Sequence, residues 1–154
     1  MRRPRKPTGI SATGPCFVDT SAFYALLDAD DYHHQDSVAL FTGLARSRTR
    51  LLTSNHVIFE TYSLVLNRLG GSIANRWLAK LKLHVERATG EDERRAVQIV
   101  LRFRDKRFSL VDASSFAIME RLGLQCAIAF DPHFRQYGRF IVLTQPPANS
   151  AFRQ

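Results

Sequence analysis

Two aspartates follow directly after short apolar runs of the kind that form buried strands. Asp19 follows residues 16–18, and Asp131 follows residues 126–130. In an open α/β sheet the carboxyl ends of parallel strands meet at one edge, which is where such sheets bind their ligands. We therefore expect the side chains of Asp19 and Asp131 to meet at that edge.

Asp112 begins a predicted helix that leads into the second of these apolar runs. It lies three residues after Ser109, which is the spacing of a capping box with aspartate in place of the usual glutamate. An acid in the first turn also favours the helix dipole. Each aspartate therefore has an ordinary structural role open to it, since Asp19 and Asp131 could likewise cap the helices that follow them.

Glu60 lies inside a long predicted helix that follows a short apolar strand. The spacing predicts that the main apolar stripe of this helix consists of Ile58, Tyr62, Val65 and Leu69. Glu60 points nearly away from that stripe. Spacing alone therefore favours a solvated acid on the helix surface.

The four acids are more informative together than singly. Carboxylates brought to one place repel one another, and without a cation some of them would take up protons. A divalent cation removes that conflict, and oxygen ligands without Cys or His indicate Mg²⁺ or Mn²⁺. Such an ion can activate water and stabilise the charge that develops on a phosphodiester. The predicted metal-binding and catalytic residues are Asp19, Glu60, Asp112 and Asp131.

The charge of the chain suits a polyanionic substrate. The formal net charge is +8, from 22 basic and 14 acidic residues. A basic surface around an acidic pocket would hold a nucleic acid by its phosphates, although a solvated basic surface without a partner is equally compatible with the charge. The candidate phosphate contacts are Arg46, Arg48, Arg50, Arg104, Lys106, Arg107, Arg135 and Arg139.

Nothing in the sequence predicts contact with a membrane. No apolar run approaches the roughly 18 residues that a membrane span needs. The basic N-terminus is not followed by the apolar segment of a signal peptide. We therefore expect a cytoplasmic protein in which Cys16 and Cys126 are buried free thiols, although a disulfide is possible if their strands are neighbours.

Predicted strands and helices alternate along the chain. Strands are predicted at residues 16–19, 51–53, 83–88, 126–130 and 140–143. Helices are predicted at residues 21–27, 36–46, 55–69, 72–81, from 91 onward, 109–122 and 132–137. This alternation indicates an α/β fold in which a parallel sheet of about four to five strands is sandwiched between helices. We expect one domain at residues 15–145, a disordered basic tail at 1–14 and a frayed tail at 146–154.

Four short motifs in chain order resemble those of PIN-domain ribonucleases. They are Val18-Asp19-Thr20-Ser21-Ala22, Glu60 in a helix after a short strand, Leu110-Val111-Asp112-Ala113-Ser114, and Ala129-Phe130-Asp131-Pro132-His133-Phe134. Single motifs of this kind are weak, but the four in this order and at this chain length are specific. The pattern covers about residues 16–143 and is most similar to the VapC-like toxins of type II toxin–antitoxin pairs.

The resemblance implies a PIN-like fold and a metal-dependent endoribonuclease that uses Mg²⁺ or Mn²⁺. It implies that the four acids line the pocket, supported by Thr20, Ser21 and Ser114. It also implies an RNA substrate, a homodimer and a cognate antitoxin that silences the enzyme. His133 stands where the family often has a second acid, and we expect its side chain to be exposed.

Other functions remain open at this point. A non-catalytic RNA-binding PIN module is disfavoured because all four acids are present. A PIN-type nuclease outside a toxin–antitoxin pair, or one that cuts DNA, would carry the same pocket, because attack by water does not need the 2′-hydroxyl. A haloacid-dehalogenase-like phosphatase is disfavoured because Ser21 stands where that family needs a second acid.

Overall fold

The computed structural model describes residues 14–146, and this part of the chain forms an α/β fold. Its strands are β1 (Cys16–Val18), β2 (Leu51–Ser54), β3 (His84–Glu86), β4 (Cys126–Ile128) and β5 (Ile141–Leu143). Its helices are α1 (Thr20–Leu27), α2 (His34–Arg46), α3 (Asn55–Leu69), α4 (Gly71–Lys80), α5 (Gly90–Arg102), α6 (Leu110–Leu122) and α7 (His133–Tyr137). All five predicted strands are therefore confirmed. The two predicted tails lie almost wholly outside the described residues.

The sheet is parallel throughout, with the strand order β3-β2-β1-β4-β5. The central strand β1 therefore lies between β2, which follows it in the chain, and β4, which returns from the other side. Such a reversal of strand order opens a crevice at the carboxyl edge of the sheet. Asp19 follows β1 and Asp131 follows β4, so both acids lie at this crevice.

Helix α6, which carries Asp112 in its first turn, is the most deeply buried of the described helices. Every residue from Asp112 to Met119 is buried. Its fully buried Phe116 packs edge-on against Phe134 and face-to-face against Tyr137 of α7. The helix ends at Gly123, whose φ of 66° is left-handed and suits glycine. These aromatic contacts pack α6 against α7.

The apolar stripe predicted for helix α3 is correct only at Val65. The buried residues of this helix are Val57, Thr61 and Val65, rather than the line through Ile58, Tyr62 and Leu69. Thr61 is fully buried, and its hydroxyl is satisfied by the hydrogen bond that it donates to the Thr20 hydroxyl at 3.1 Å. Hydropathy alone cannot place a buried threonine, and the error left Glu60 on the solvent side.

The two cysteines are register partners on adjacent strands and are free thiols. Trp77 is 8% exposed and packs edge-on against Phe23, which places it in the core. Within residues 14–146, no helix combines the length and the apolar character needed to cross a membrane.

Candidate metal and active site

Asp19 occupies the end of β1 and caps helix α1. One of its carboxylate oxygens, Oδ2, accepts hydrogen bonds from the Ser21 backbone N–H at 3.1 Å and the Ser21 hydroxyl at 2.7 Å. The other oxygen, Oδ1, is buried and has no hydrogen-bond partner among the described residues. Asp19 is only 1% exposed. A buried carboxylate oxygen without a partner is costly unless something outside the chain satisfies it.

Ser21 ties the two strand ends that carry the aspartates. Its hydroxyl accepts a hydrogen bond from the Phe130 backbone N–H at 2.9 Å while donating to Asp19. The Asp19 backbone N–H also donates to the Ile128 carbonyl at 3.0 Å. The end of β1 and the residue before Asp131 are therefore fixed relative to each other.

Glu60 reaches the same crevice from helix α3. Its Oε2 accepts a hydrogen bond of 2.7 Å from the Thr20 hydroxyl, and Thr20 in turn accepts from Thr61. Glu60 is half-buried rather than solvated. A chain of two hydroxyls thus fixes the direction of this carboxylate toward helix α1.

Asp112 belongs to the first turn of α6, where it completes the predicted capping box. Its Oδ2 accepts a hydrogen bond from the Ser109 backbone N–H, and its own N–H donates to the Ser109 hydroxyl, each at 3.0 Å. Oδ2 also lies 2.6 Å from Nδ1 of His133. Asp131 accepts a 3.0 Å hydrogen bond from the His133 backbone N–H.

The electrostatics show that the four acids act on one another. Burial raises the pKa of Asp19 well above its ordinary value, and the charges of Asp131 and Asp112 raise it further against the hydrogen bonds from Ser21. Burial likewise raises the pKa of Glu60, with smaller contributions from Asp112 and Asp131. Without a cation, Asp19 and Glu60 therefore retain protons to a higher pH than isolated carboxylates do.

Asp112 is perturbed in the same direction. Burial is the largest cause of its raised pKa, and the charge of Asp131 adds to it. Hydrogen bonds from Ser109 and the nearby His133 act in the opposite direction. The cluster therefore has the acidic character that a divalent cation would relieve.

The donor set fits a divalent cation. Ligand atoms of Asp112, Asp131 and His133 all lie within 4.8 Å of one another. The unpartnered Oδ1 of Asp19 adds a carboxylate oxygen that no hydrogen bond within the described residues satisfies. Carboxylate oxygens of this kind suit Mg²⁺ and Mn²⁺.

His133 departs from the prediction that it is exposed. Its side chain is 26% exposed, and its ring packs edge-on against that of Phe108, with the centroids 5.8 Å apart. The first turn of α7 carries it back toward Asp112. The sequence predicts that a turn follows the strand and Asp131. It does not predict which residue the imidazole of His133 contacts.

The Ser114 side chain contacts a histidine rather than one of the four acids. Its hydroxyl is hydrogen-bonded to Nδ1 of His56 at 2.7 Å, and Nε2 of His56 lies 3.7 Å from Glu93. These contacts connect the first turns of α6, α3 and α5. His56 was not among the predicted site residues, because a single histidine near a helix start gives no signal in the sequence.

The eight basic residues predicted to contact phosphates do not form one surface. Arg50 lies at the opposite edge of the sheet from the acids, since its carbonyl accepts from the N–H of Cys16, the first residue of β1. The residues that precede β2 or β5, and therefore lie toward that opposite edge, are Arg46, Arg48, Arg50 and Arg139. The α5–α6 loop, which leads directly to the Asp112 turn, carries Arg104, Lys106 and Arg107. Arg135 lies on α7 and donates to Thr144, just past the carboxyl end of β5.

A sequence profile of the PIN domain matches residues 16–140 of this chain. The chain belongs to the PIN-domain family. The match spans all four acids of the site, so the predicted family and the predicted α/β fold are both confirmed.

The PIN domain is similar to a curated relative of known activity. It is 39% identical over 126 residues to the 23S rRNA-specific endonuclease VapC20 of Mycobacterium tuberculosis, a match that covers 79% of this chain and 93% of VapC20. The crystal structure of that VapC20, described as a sarcin–ricin loop cleaving toxin, superposes with a TM-score of 0.73 and 36% identity. That superposition covers 82% of this chain and 96% of the VapC20 chain.

More distant structures show the same fold. DNA-bound VapBC from Salmonella typhimurium superposes with a TM-score of 0.63 at 12% identity, covering 85% of this chain and 98% of the other. FitAcB from Neisseria gonorrhoeae superposes with a TM-score of 0.62 at 16% identity, covering 83% and 96%. At these identities the likeness establishes the fold of this PIN domain alone.

Proposed function

We propose that this PIN-domain protein is a metal-dependent endoribonuclease that acts as the toxin of a toxin–antitoxin pair. The observation that carries the proposal is the buried Asp19, whose Oδ1 has no hydrogen-bond partner within the described residues and which lies among three further acids. The similarity to an endonuclease over 93% of that enzyme's length supports the same activity.

The residues that would hold the ion are Asp19, Glu60, Asp112 and Asp131. When bound there, Mg²⁺ or Mn²⁺ supplies Lewis-acid stabilisation of the phosphodiester and lowers the pKa of water. The carboxylates of the cluster lose their retained protons as the ion binds, because its charge offsets their mutual repulsion.

The neighbouring side chains orient these carboxylates. Ser21 occupies only Oδ2 of Asp19, so Oδ1 stays available in the crevice. Thr20 fixes Glu60 in the same way, and Ser109 fixes Asp112 through the capping box. These hydrogen bonds hold the ligands in place before an ion arrives, which reduces the entropy cost of binding.

The substrate we propose is RNA, with 23S ribosomal RNA as the first target to test. The support is the similarity to VapC20, whose name and structure concern that RNA. The loop that carries Arg104, Lys106 and Arg107 lies immediately before the Asp112 helix, and Arg135 follows Asp131 on α7. These four cations are placed to hold the phosphates that flank the scissile bond.

The partner we propose is an antitoxin that inserts an amphipathic segment into an apolar groove. The groove has a volume of about 550 Å³ and lies between α1, α2, α4, the strand β2 and the segment that connects α4 to β3. Its apolar lining includes Phe23, Leu26, Phe41, Ile73 and Trp77. Its basic residues are Arg76, Lys80 and Lys82. These charges suit an occupant with acidic residues beside its apolar face.

The groove proposal can be tested with the product of a small open reading frame adjacent to the gene. We expect the double change Lys80→Glu and Lys82→Glu to weaken its binding at least tenfold in calorimetry. Arg94→Glu, on the surface of α5, is the matched control and leaves the affinity unchanged. Equal affinity of all three proteins would place the antitoxin elsewhere.

The activity itself is tested by incubating the purified protein with ribosomes and with total RNA. The reactions contain Mg²⁺, Mn²⁺ or EDTA, and the variants are Asp19→Asn and Asp30→Asn. We expect discrete fragments that need the metal, disappear with Asp19→Asn and persist with Asp30→Asn, because Asp30 is exposed in the α1–α2 loop. Cleavage that survives EDTA would contradict the proposal, and RNA binding without cleavage would favour a non-catalytic module.

Three implications of the family resemblance remain predictions. They are the homodimer, the cytoplasmic location and the membership of a toxin–antitoxin pair rather than a free-standing nuclease. Light scattering of the purified protein tests the first. Copurification with the neighbouring gene product tests the last.

A further inference from the structure

His133 is the one nitrogen donor among the described groups that could hold a metal. It opens helix α7, two residues after Asp131, and its side chain is 26% exposed. The resemblance places a second acid at this position in many relatives, so the imidazole changes the chemistry of the donor set. The question is whether His133 replaces that acid as a ligand or acts as a counter-ion.

His133 and Asp112 form a close ionic contact that leaves the imidazole nitrogen without a hydrogen bond. Nδ1 of His133 lies 2.6 Å from Oδ2 of Asp112, yet this buried nitrogen has no hydrogen-bond partner among the described residues. At so short a distance, only the angle can fail, so the oxygen lies off the direction of a ring N–H. A metal ion bound at Nδ1 would therefore displace no hydrogen bond of this nitrogen.

The third donor is at a compatible distance. Oδ1 of Asp131 lies 3.9 Å from Nδ1 of His133, and the donor atoms of the three residues all fall within 4.8 Å of one another. Ligands on opposite sides of an octahedral ion with bonds of about 2.1 Å stand about 4 Å apart. The 3.9 Å between Asp131 and His133 therefore matches two ligands on opposite sides of one ion.

Packing holds the imidazole in this direction. The His133 backbone N–H donates to Asp131, and the ring of Phe108 contacts the imidazole edge-on. The neighbouring Asp19 contributes a second buried, unpartnered atom to the same crevice. The site thus presents an unsatisfied nitrogen as well as an unsatisfied oxygen.

We propose that His133 is a ligand of the metal through Nδ1 and that this nitrogen makes the site bind Mn²⁺ in preference to Mg²⁺. The inference rests on the proposed function, since it assumes a metal in the carboxylate cluster. Mg²⁺ is a hard ion that takes oxygen ligands, whereas imidazole favours first-row transition ions. Mn²⁺ accepts both carboxylate and imidazole, so it suits this mixed set best.

The two possible roles of His133 predict opposite effects of removing the imidazole. If it is a ligand, His133→Gln lowers the affinity for Mn²⁺ by about tenfold or more and affects Mg²⁺ less. If it is a protonated counter-ion of Asp112 and Asp131, its removal frees two carboxylates and raises the affinity for both ions. His133→Asp, which supplies an acid at this position, shifts the preference toward Mg²⁺.

The deciding experiment is pulsed electron paramagnetic resonance of Mn²⁺ bound to the full-length protein, without RNA. We expect nitrogen modulation from a directly bound imidazole in the wild type. Incorporation of ¹⁵N-histidine changes its frequencies, which needs no mutation and therefore does not depend on a variant folding. The modulation disappears in His133→Gln and persists in His84→Gln, whose side chain is 67% exposed on strand β3.

The outcomes separate this inference from the function on which it rests. Bound Mn²⁺ without nitrogen modulation overturns the role of His133 and leaves the carboxylate metal site intact. A calorimetric affinity for Mn²⁺ that rises in His133→Gln overturns it as well. Failure of the wild type to bind either Mn²⁺ or Mg²⁺ overturns the metal site itself.

Discussion

Two helices of this protein begin with the same type of capping box, but the aspartates of the two boxes have different surroundings. In α5, Thr89 and Asp92 exchange backbone-to-side-chain hydrogen bonds of 2.8 and 3.1 Å. In α6, Ser109 and Asp112 exchange equivalent bonds of 3.0 Å. Asp92 is 2% exposed and Asp112 is 5% exposed. The local motif and the burial are therefore matched.

The two aspartates differ in what stands across from them. Arg121 donates three hydrogen bonds to Asp92, at distances between 2.9 and 3.1 Å. Burial pushes the pKa of Asp92 upward, but the hydrogen bonds from Arg121 and Thr89 outweigh it and hold the pKa below its ordinary value. Asp112 instead faces Asp131 and His133, and its pKa is raised. A capping aspartate with a guanidinium is structural, whereas one among other acids is available to a metal.

The largest difference we expect between these residues is in RNA cleavage. Asp112→Asn removes a carboxylate that we propose as a metal ligand, and we expect it to lower the cleavage rate by about 10³-fold, since loss of such a ligand forfeits several kcal/mol of transition-state stabilisation. Asp92→Asn leaves the rate per folded molecule within about twofold. Cleavage rates of the two variants against 23S rRNA measure this. Equal losses in both would make the α6 aspartate a structural residue like its counterpart.

The second largest difference that we expect between the two aspartates is in the stabilisation of the folded protein by a bound metal ion. At a free Mn²⁺ concentration of 100 times Kd, binding stabilises the folded state by about 2.7 kcal/mol. We expect the wild type and Asp92→Asn to show this stabilisation as a rise in Tm, and Asp112→Asn to lose most of it. A full rise in Asp112→Asn would locate the metal away from α6.

Without metal, we expect the substitution of Asp92 to lower the stability of the folded protein more than the substitution of Asp112. Asp92→Asn breaks a pair with Arg121, and we expect it to lower the free energy of unfolding by about 2 kcal/mol, since Arg121 is partly exposed and keeps Glu86. Asp112→Asn keeps an oxygen for the cap and relieves repulsion, so it leaves stability unchanged or slightly raised. Urea unfolding in EDTA measures both. Destabilisation of similar size in the two variants would contradict the comparison.

The smallest effect is a difference in pH dependence between Asp19→Asn and Asp92→Asn. The folded pKa of Asp19 is raised, so its ionisation costs stability above that pKa, and the cost disappears as the pH falls toward about 3.9. The folded pKa of Asp92 is lowered, so its stabilisation is complete above about 3.9 and is lost only below it.

Acidification should therefore erase the two mutational differences in separate pH ranges. The stabilisation by Asp19→Asn disappears first, above pH of about 4, and the destabilisation by Asp92→Asn disappears at lower pH. Unfolding in urea over a series of pH values, without divalent cations, tests the order. Loss of both differences in one range would show that the pKa of Asp19 is not raised in the folded protein.

Much of the fold, and the meeting of Asp19 and Asp131 at one edge of the sheet, could be predicted from the sequence. Alternating strands and helices fixed the parallel sheet, and the apolar runs before Asp19 and Asp131 fixed the edge where these residues meet. The strand directions also predict which basic residues lie at the opposite edge of the sheet, and the prediction of phosphate contacts did not take this into account. Arg50 directly precedes β2, whereas Asp19 directly follows β1. Because the two strands are parallel, the two residues must lie at opposite edges of the sheet.

Other features depend on tertiary contacts that have no local signature. Glu60 joins the site because Thr61 is buried against Thr20, and hydropathy assigns a threonine to the surface. His133 turns inward because α7 packs on α6, which a five-residue helix does not reveal in its sequence. The capping boxes of α5 and α6 look alike along the chain, and only Arg121, which lies 29 residues after Asp92, distinguishes them.

The central claim is that the acids at the carboxyl edge of the sheet form a metal centre. A crystal of the protein soaked in Mn²⁺, with data collected for anomalous scattering, tests it most directly. We predict an anomalous peak within coordination distance of Asp19, Asp112 and Asp131, on the side of the unpartnered Oδ1 of Asp19. A crevice without a peak at a Mn²⁺ concentration that saturates binding in solution, or a peak at another site alone, would contradict the account.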